Sequence, residues 1–378
     1  MNLIRINKKE IIIVLIVLFF WVFVQFIYGS DHTRLADQQL YISDPERNFG
    51  LLSNTFITLN IYRFFRIFLP GKLSTIVPIL FTSIFLFRTI KPFYFYLPKD
   101  RKLILFSIFS MPHFWIWQSA ASKEALMIPT GLVLAFYFSK YLYQEITLKE
   151  KIFILISFIL IFLIKPQFSL AYLFIGLSLF IKKKFSLVKE ISKFIKLSFN
   201  YYYFLWILSF TFLSILIINF FKNVFIKNLE AIMFITQLHL LQNRNANTSR
   251  YDFNWQTYKD FFDNMIWGIP TSFLGFKPNE ILGNYLYSLI FIEGLISILV
   301  IFTIQIILIK VCIKKTNIRF VYFLGILPAI LIIMTIQYSV GIFNAGTAIR
   351  YKQSLMPILI YFPLYLIEFQ KLRNYLKI

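Results

Sequence analysis

The sequence predicts an all-α polytopic membrane protein with about ten transmembrane helices, both termini in the cytoplasm, one interfacial helix and one long outer loop. Three observations carry that prediction. Of the 378 residues, 58% are apolar and 20% aromatic, while only 15% are charged; soluble domains carry roughly 25%. Apolar runs long enough to cross ~30 Å of hydrocarbon recur from one end of the chain to the other. The 39 Lys and Arg gather in alternate segments between those runs.

The first run, Ile11 to Tyr28, follows Arg5, Lys8 and Lys9. It is longer than the apolar region of a signal peptide, and no small-residue cleavage site follows it. It therefore reads as a retained span entering from the cytoplasm. Further spans are expected over 73–90, 103–119, 124–142, 152–164, 168–181, 198–220, 283–310, 320–338 and 354–370. Residues 50–69 are apolar but contain Arg63 and Arg66, three apart and so on one helical face. Counting them as a span would carry Lys91, Lys99, Arg101 and Lys102 to the outside, so they read as a helix in the outer interface. The whole chain, 1–378, is expected to form a single integral membrane domain with outer loops over 30–72 and 221–282.

In this topology 23 of the 39 basic residues are cytoplasmic and 15 are outside, whereas 11 of the 17 acids are outside. The positive-inside bias accounts for most of the net charge of +22, and no nucleic-acid partner is needed. The lone Cys312 cannot pair within the chain. His32, His113 and His239 lack metal-ligand spacing, so no metal is expected. The absence of a phosphate-binding Gly-rich loop or a dinucleotide fingerprint argues against ATP or NAD use, and no cofactor is expected. There is no Arg ladder of the voltage-sensor type, which disfavours a channel.

Once topology is set, ionisable residues from separate outer segments fall on one side. They are Asp31 and Asp37 in the first loop; His113, Lys123 and Glu124 around the third turn; Lys165 between two short spans; Arg244, Arg250 and Lys277 in the long loop; and Arg350 with Tyr351 before the last span. Charged groups at a membrane boundary are costly and commonly face a bundle interior or a water-filled site.

Several of these segments resemble motifs of one family. Asp37-Gln38-Gln39-Leu40-Tyr41 is similar to an Asp-bearing first outer loop. Pro112-His113-Phe114-Trp115-Ile116-Trp117-Gln118-Ser119, running into Ser122-Lys123-Glu124, is similar to a Pro-x-x-x-x-Trp-x-Ser turn followed by Lys-Asp/Glu. Ile164-Lys165-Pro166-Gln167 resembles an Ile-Arg-Pro-His turn, with Lys and Gln substituted. Ile269-Pro270 to Glu280, then Glu293, resembles a Pro-rich entry to a Glu-bearing span, and Gly346-Thr347-Ala348-Ile349-Arg350-Tyr351 with Pro357 resembles a Gly-Thr-x-x-Arg-Tyr ending. Together these resemble the Wzy-like oligosaccharide repeat-unit polymerases of O-antigen, capsule and exopolysaccharide assembly.

The resemblance implies a multi-pass protein of the bacterial cytoplasmic membrane that joins undecaprenyl-pyrophosphate-linked glycans at its outer face, alongside other polysaccharide-assembly proteins and membrane lipid. It implies Asp37 or Asp31 as the base and Arg350 as the pyrophosphate ligand. Lys123, Glu124, Lys165, Arg244, Arg250, Lys277, Tyr351 and His113 are then expected around the substrate. Two other readings fit the same residues: a single-addition glycosyltransferase using a polyprenyl-phosphate sugar, and a lipid-linked sugar transporter or flippase. A flippase should hold cations along its path, and Arg88 is almost alone in mid-span.

Overall fold

A computed structural model describes residues 8–28, 36–43, 53–94, 97–184, 222–241, 248–250, 255–314 and 316–376, and every regular element among them is helical. Helix α1 (Lys8–Val22) runs on through a π turn, Phe23–Ile27. Next come α2 (Ala36–Ser43), α3 (Asn54–Phe68) and a 3-10 turn, Gly71–Thr75, that leads into α4 (Ile76–Tyr94). Helices α5 (Lys99–Phe109) and α6 (Pro112–Ser119) precede α7 (Lys123–Tyr143), α8 (Leu148–Ile164) and α9 (Pro166–Lys184). Then follow α10 (Lys222–Leu241), α11 (Tyr258–Asp263), α12 (Met265–Leu274) and α13 (Tyr285–Lys314). A π turn, Tyr322–Ile326, joins α14 (Thr316–Val321) to α15 (Leu327–Gly341). Another, Pro357–Tyr361, joins α16 (Ala345–Met356) to α17 (Phe362–Leu376). Pro357 has no N–H for the carbonyl four residues back, which is where a wider turn forms.

Among the described residues four helical segments are long and apolar enough to cross a membrane: Gly71–Tyr94, Lys123–Tyr143, Tyr285–Lys314 and Ile318–Gly341. They coincide with the spans expected at 73–90, 124–142, 283–310 and 320–338. The span expected at 198–220 lies outside the described residues. Between 103 and 119 the structure differs, because α5 and α6 are separate helices. Pro112 disfavours a helical conformation in the residue before it, and Met111 is extended, with φ −82° and ψ 106°.

A second difference lies at 344–352, expected as a loop. The Asn344 carboxamide accepts the Thr347 N–H at 2.8 Å and so caps α16, which makes Arg350, Tyr351 and Lys352 helical residues. Helix α3 occupies the segment expected to be interfacial, and Ser53 caps it by accepting the Phe56 N–H at 3.1 Å. Within it, Arg66 Nη1 donates to the Ile42 carbonyl at 2.6 Å and ties α3 to α2. The exposed apolar flank of α3 consists of Phe64, Ile67 and Phe68.

The chain gathers into two compact units. The first comprises Met1–Leu173, Leu299–Leu308 and Arg350–Ile378, with α7 packed against α4, α8 and α17. Pro129 interrupts α7 and leaves the Ala125 carbonyl without its helical donor. Gln118 Nε2 approaches that carbonyl at 3.5 Å, and Gln118 Oε1 accepts from Thr82 Oγ1 at 2.5 Å. One turn on, Gly131 lies against Tyr172 and Pro357, where a larger side chain would meet both.

The second unit comprises Phe174–Ile298 and Ile309–Ile349, with α12 packed on α15. Its aromatic core joins Trp255, Phe261, Tyr338 and Phe343, and the Tyr338 hydroxyl donates to the Phe261 carbonyl at 2.8 Å. Gly294 and Gly341 allow close backbone approach to Leu274 and Ser272 respectively.

Candidate functional site

The site is built on the turn that starts α7. Ser122 caps the helix, accepting the Ala125 N–H at 3.1 Å. The turn before it is held from two directions. Gln25, on the π turn after α1, and Gln38, on α2, pair their carboxamides reciprocally at 2.9 and 3.0 Å. Gln25 also donates to the Ser119 carbonyl at 2.6 Å, and Gln38 accepts the Ala121 N–H at 3.3 Å. From α3 the Tyr62 hydroxyl accepts the Ser122 N–H at 3.1 Å and donates to the Ser122 carbonyl at 3.2 Å. These bonds satisfy a buried backbone turn and orient the next two residues.

Glu124 points inward and is fully buried. A carboxylate in that position requires cations, and two reach it. Lys165 Nζ lies 2.6 Å from Oε1, and Arg350 Nη2 lies 3.3 Å from Oε2. Lys165 sits at the joint between α8 and α9, where Pro166 keeps the chain from continuing as one helix. Its ammonium also lies 3.6 Å from the centroid of the Tyr351 ring, which Phe168 meets edge-on. The Arg350 guanidinium lies 4.9 Å from the centroid of the Trp117 ring, and its side chain keeps 20% of its surface exposed. One carboxylate thus faces two cations, a net positive charge whose accessible part is Arg350. Lys123 adds a third cation beside the turn, donating to Asn54 Oδ1 at 2.7 Å and Thr55 Oγ1 at 3.1 Å at the start of α3.

The first unit therefore brings together Lys123, Glu124, Lys165, Arg350 and Tyr351, with His113 buried on α6. Arg250 and Lys277 belong to the second unit. Arg250 is buried and chelates Glu280, with Nε to Oε1 at 2.6 Å and Nη2 to Oε2 at 2.7 Å. It also donates to the Gly341 and Gly275 carbonyls at 2.6 and 2.8 Å. Burial raises the Glu280 carboxyl, but the Arg250 bonds outweigh it and hold the group below the usual carboxylate range. Lys277 Nζ lies 5.4 Å from the Trp267 ring centroid. Asp31, Arg244 and the Asp37 side chain lie outside the described residues. Among the described residues no group of three or more His, Cys, Asp or Glu could hold a metal ion.

Sequence reading missed the residues that hold the turn: Gln25, Tyr62 and Asn54. Gln25 carries a signal, being a carboxamide inside an otherwise apolar run. Tyr62 and Asn54 carry none, since polar and aromatic residues are ordinary in an amphipathic segment.

Comparison with protein-family models, with curated proteins and with solved structures finds no match. What the structure defines is a class: a protein helical in every regular element among the described residues, with segments fit to cross a membrane and a buried carboxylate that gathers a lysine and an arginine.

Proposed function

We propose that the protein is a glycosyltransferase that polymerises undecaprenyl-pyrophosphate-linked oligosaccharide repeats at the outer face of the bacterial cytoplasmic membrane. In this reading about ten spans cross the bilayer, both termini are cytoplasmic, and the α6–α7 turn, the α8–α9 joint and the start of α16 lie outside. The single observation that carries the reading is the surplus of positive charge around Glu124, exposed through Arg350. Such a site suits an anion more than a neutral sugar.

The reaction makes no demand on ATP, because the donor carries its own leaving group. The acceptor hydroxyl oxygen attacks the anomeric carbon of the donor repeat. The bond from that carbon to the pyrophosphate oxygen breaks with its electron pair, and the lipid pyrophosphate departs. The hydroxyl proton passes to a carboxylate, assigned to Asp37 or Asp31. Arg350 takes the pyrophosphate through its planar fork, and a pre-oriented cation favours the charge that develops on departure. Glu124 and Lys165 are positioning residues that hold the fork on the Trp117 face. Lys123, at the start of α7, supplies further positive field, and Tyr351 lines the site against Lys165.

The purified protein given only undecaprenyl-pyrophosphate repeats should make ladders without nucleotide or added metal. Products longer by a single sugar, or a strict requirement for a polyprenyl-monophosphate sugar, would overturn this reading.

A further inference from the structure

Helices α1 and α4 and the α5–α6 junction enclose a groove of about 710 Å³, lined by none of Lys123, Glu124, Lys165 and Arg350. Ile16 and Phe20 form one wall, Leu86 and Ile90 a second, and Phe109 with Trp115 the third. The few polar groups in these walls are turned to backbone. Ser83 donates to the Ile79 carbonyl at 2.7 Å, Ser110 to Phe106 at 2.8 Å, and Trp115 Nε1 to Phe109 at 2.9 Å. The lumen therefore presents hydrocarbon, which neither a glycan nor a peptide backbone could enter without leaving polar groups unsatisfied.

One end is different. Lys91 and Tyr94 line it, and Lys102 Nζ lies 4.9 Å from the centroid of the Tyr94 ring. Arg101 is already matched by Glu368, whereas Lys91 lines this rim and Lys102 reaches its Tyr94. From Ile79 to Lys91 the α4 wall rises ~18 Å. That is close to one leaflet of hydrocarbon, ~15 Å, and far shorter than a polyprenyl chain.

We propose that this groove is a binding site for an anionic glycerophospholipid, with one acyl chain along α1 and α4 and the phosphate at Lys91 and Lys102. A net negative headgroup is favoured because the rim offers cations to it. In the topology proposed above this end faces the cytoplasm. The site itself requires only that α1 and α4 lie in a bilayer, and it is independent of the glycan chemistry.

The test is native mass spectrometry of the purified full chain, incubated separately with phosphatidylglycerol, phosphatidylcholine and undecaprenyl phosphate. Phosphatidylglycerol should be retained over phosphatidylcholine, and Lys91→Gln, an exposed change, should cut that preference about fivefold. Ile16→Trp, which fills the lumen from an exposed position, should reduce retention of both phospholipids. Equal retention of the two phospholipids by the wild type would overturn the proposal. So would an unchanged preference in Lys91→Gln, or undecaprenyl phosphate held in preference to phosphatidylglycerol.

Discussion

Lys165 Nζ lies 2.6 Å from Glu124 Oε1, and neither side chain is more than 1% exposed. The two residues come from different helix ends, one in the first turn of α7 and one at the α8–α9 joint, so the ion pair fastens two turns together. Arg350 approaches the other carboxylate oxygen from α16. Deeply buried pairs of this kind contribute little net stability, but the loss of one partner is costly because it strands the other charge.

Glu124→Gln should therefore destabilise the protein by about 3–5 kcal/mol. Arg350→Gln should cost much less, because it leaves the Glu124–Lys165 pair neutral and intact. Thermal unfolding in detergent measures both, and equal losses would contradict the arrangement.

Arg350→Lys keeps the charge and loses the planar fork. Polymer yield in the purified reaction should fall roughly tenfold or more, with protein level and melting temperature unchanged. Wild-type yield would remove Arg350 from the donor site.

Topology is testable by chemistry from one side. In a Cys312→Ser background, a cysteine placed at Asn247 should react with an impermeant maleimide added outside intact cells, and one at Ser186 should not. The opposite pattern would place the Glu124 cluster in the cytoplasm.

Gly294→Ala should destabilise the second unit by about 1–3 kcal/mol, since the added methyl group would collide with the Leu274 backbone. Backbone cannot rotate away as a side-chain tip can. A melting temperature equal to wild type would mean that α12 and α13 separate readily.

The Arg250–Glu280 chelate predicts a pH dependence. Because the folded Glu280 carboxyl lies below its unfolded value of about 4.3, its stabilisation is full above that pH and is lost as pH falls through the folded value. The melting-temperature gap between wild type and Glu280→Gln should be constant from about pH 6 to 8 and should close in strong acid. A gap that persisted below the folded value would show that Glu280 acts through packing.

Composition and the length of the apolar runs were enough to foresee the helical character of the described residues and the four long helices among them, because burial of twenty consecutive apolar residues is a local demand written in each segment. The same local signals brought Lys123, Glu124, Lys165 and Arg350 forward as candidates, since charged residues beside apolar runs are conspicuous. Local signals also misled. Pro112 splits one expected span in two, and Asn344 caps a helix where a loop was expected. In both cases a single side chain or ring outweighs the average hydropathy of its window.

Which charges meet was decided only in three dimensions. Nothing in the spacing of positions 124, 165 and 350 says that one carboxylate takes both cations, that Arg66 turns to the Ile42 carbonyl, or that Arg250 chelates Glu280. Hydropathy determines what a segment buries, and it acts residue by residue. The pairing of buried charges depends on distances of a few ångströms between segments far apart in the chain, which packing alone sets.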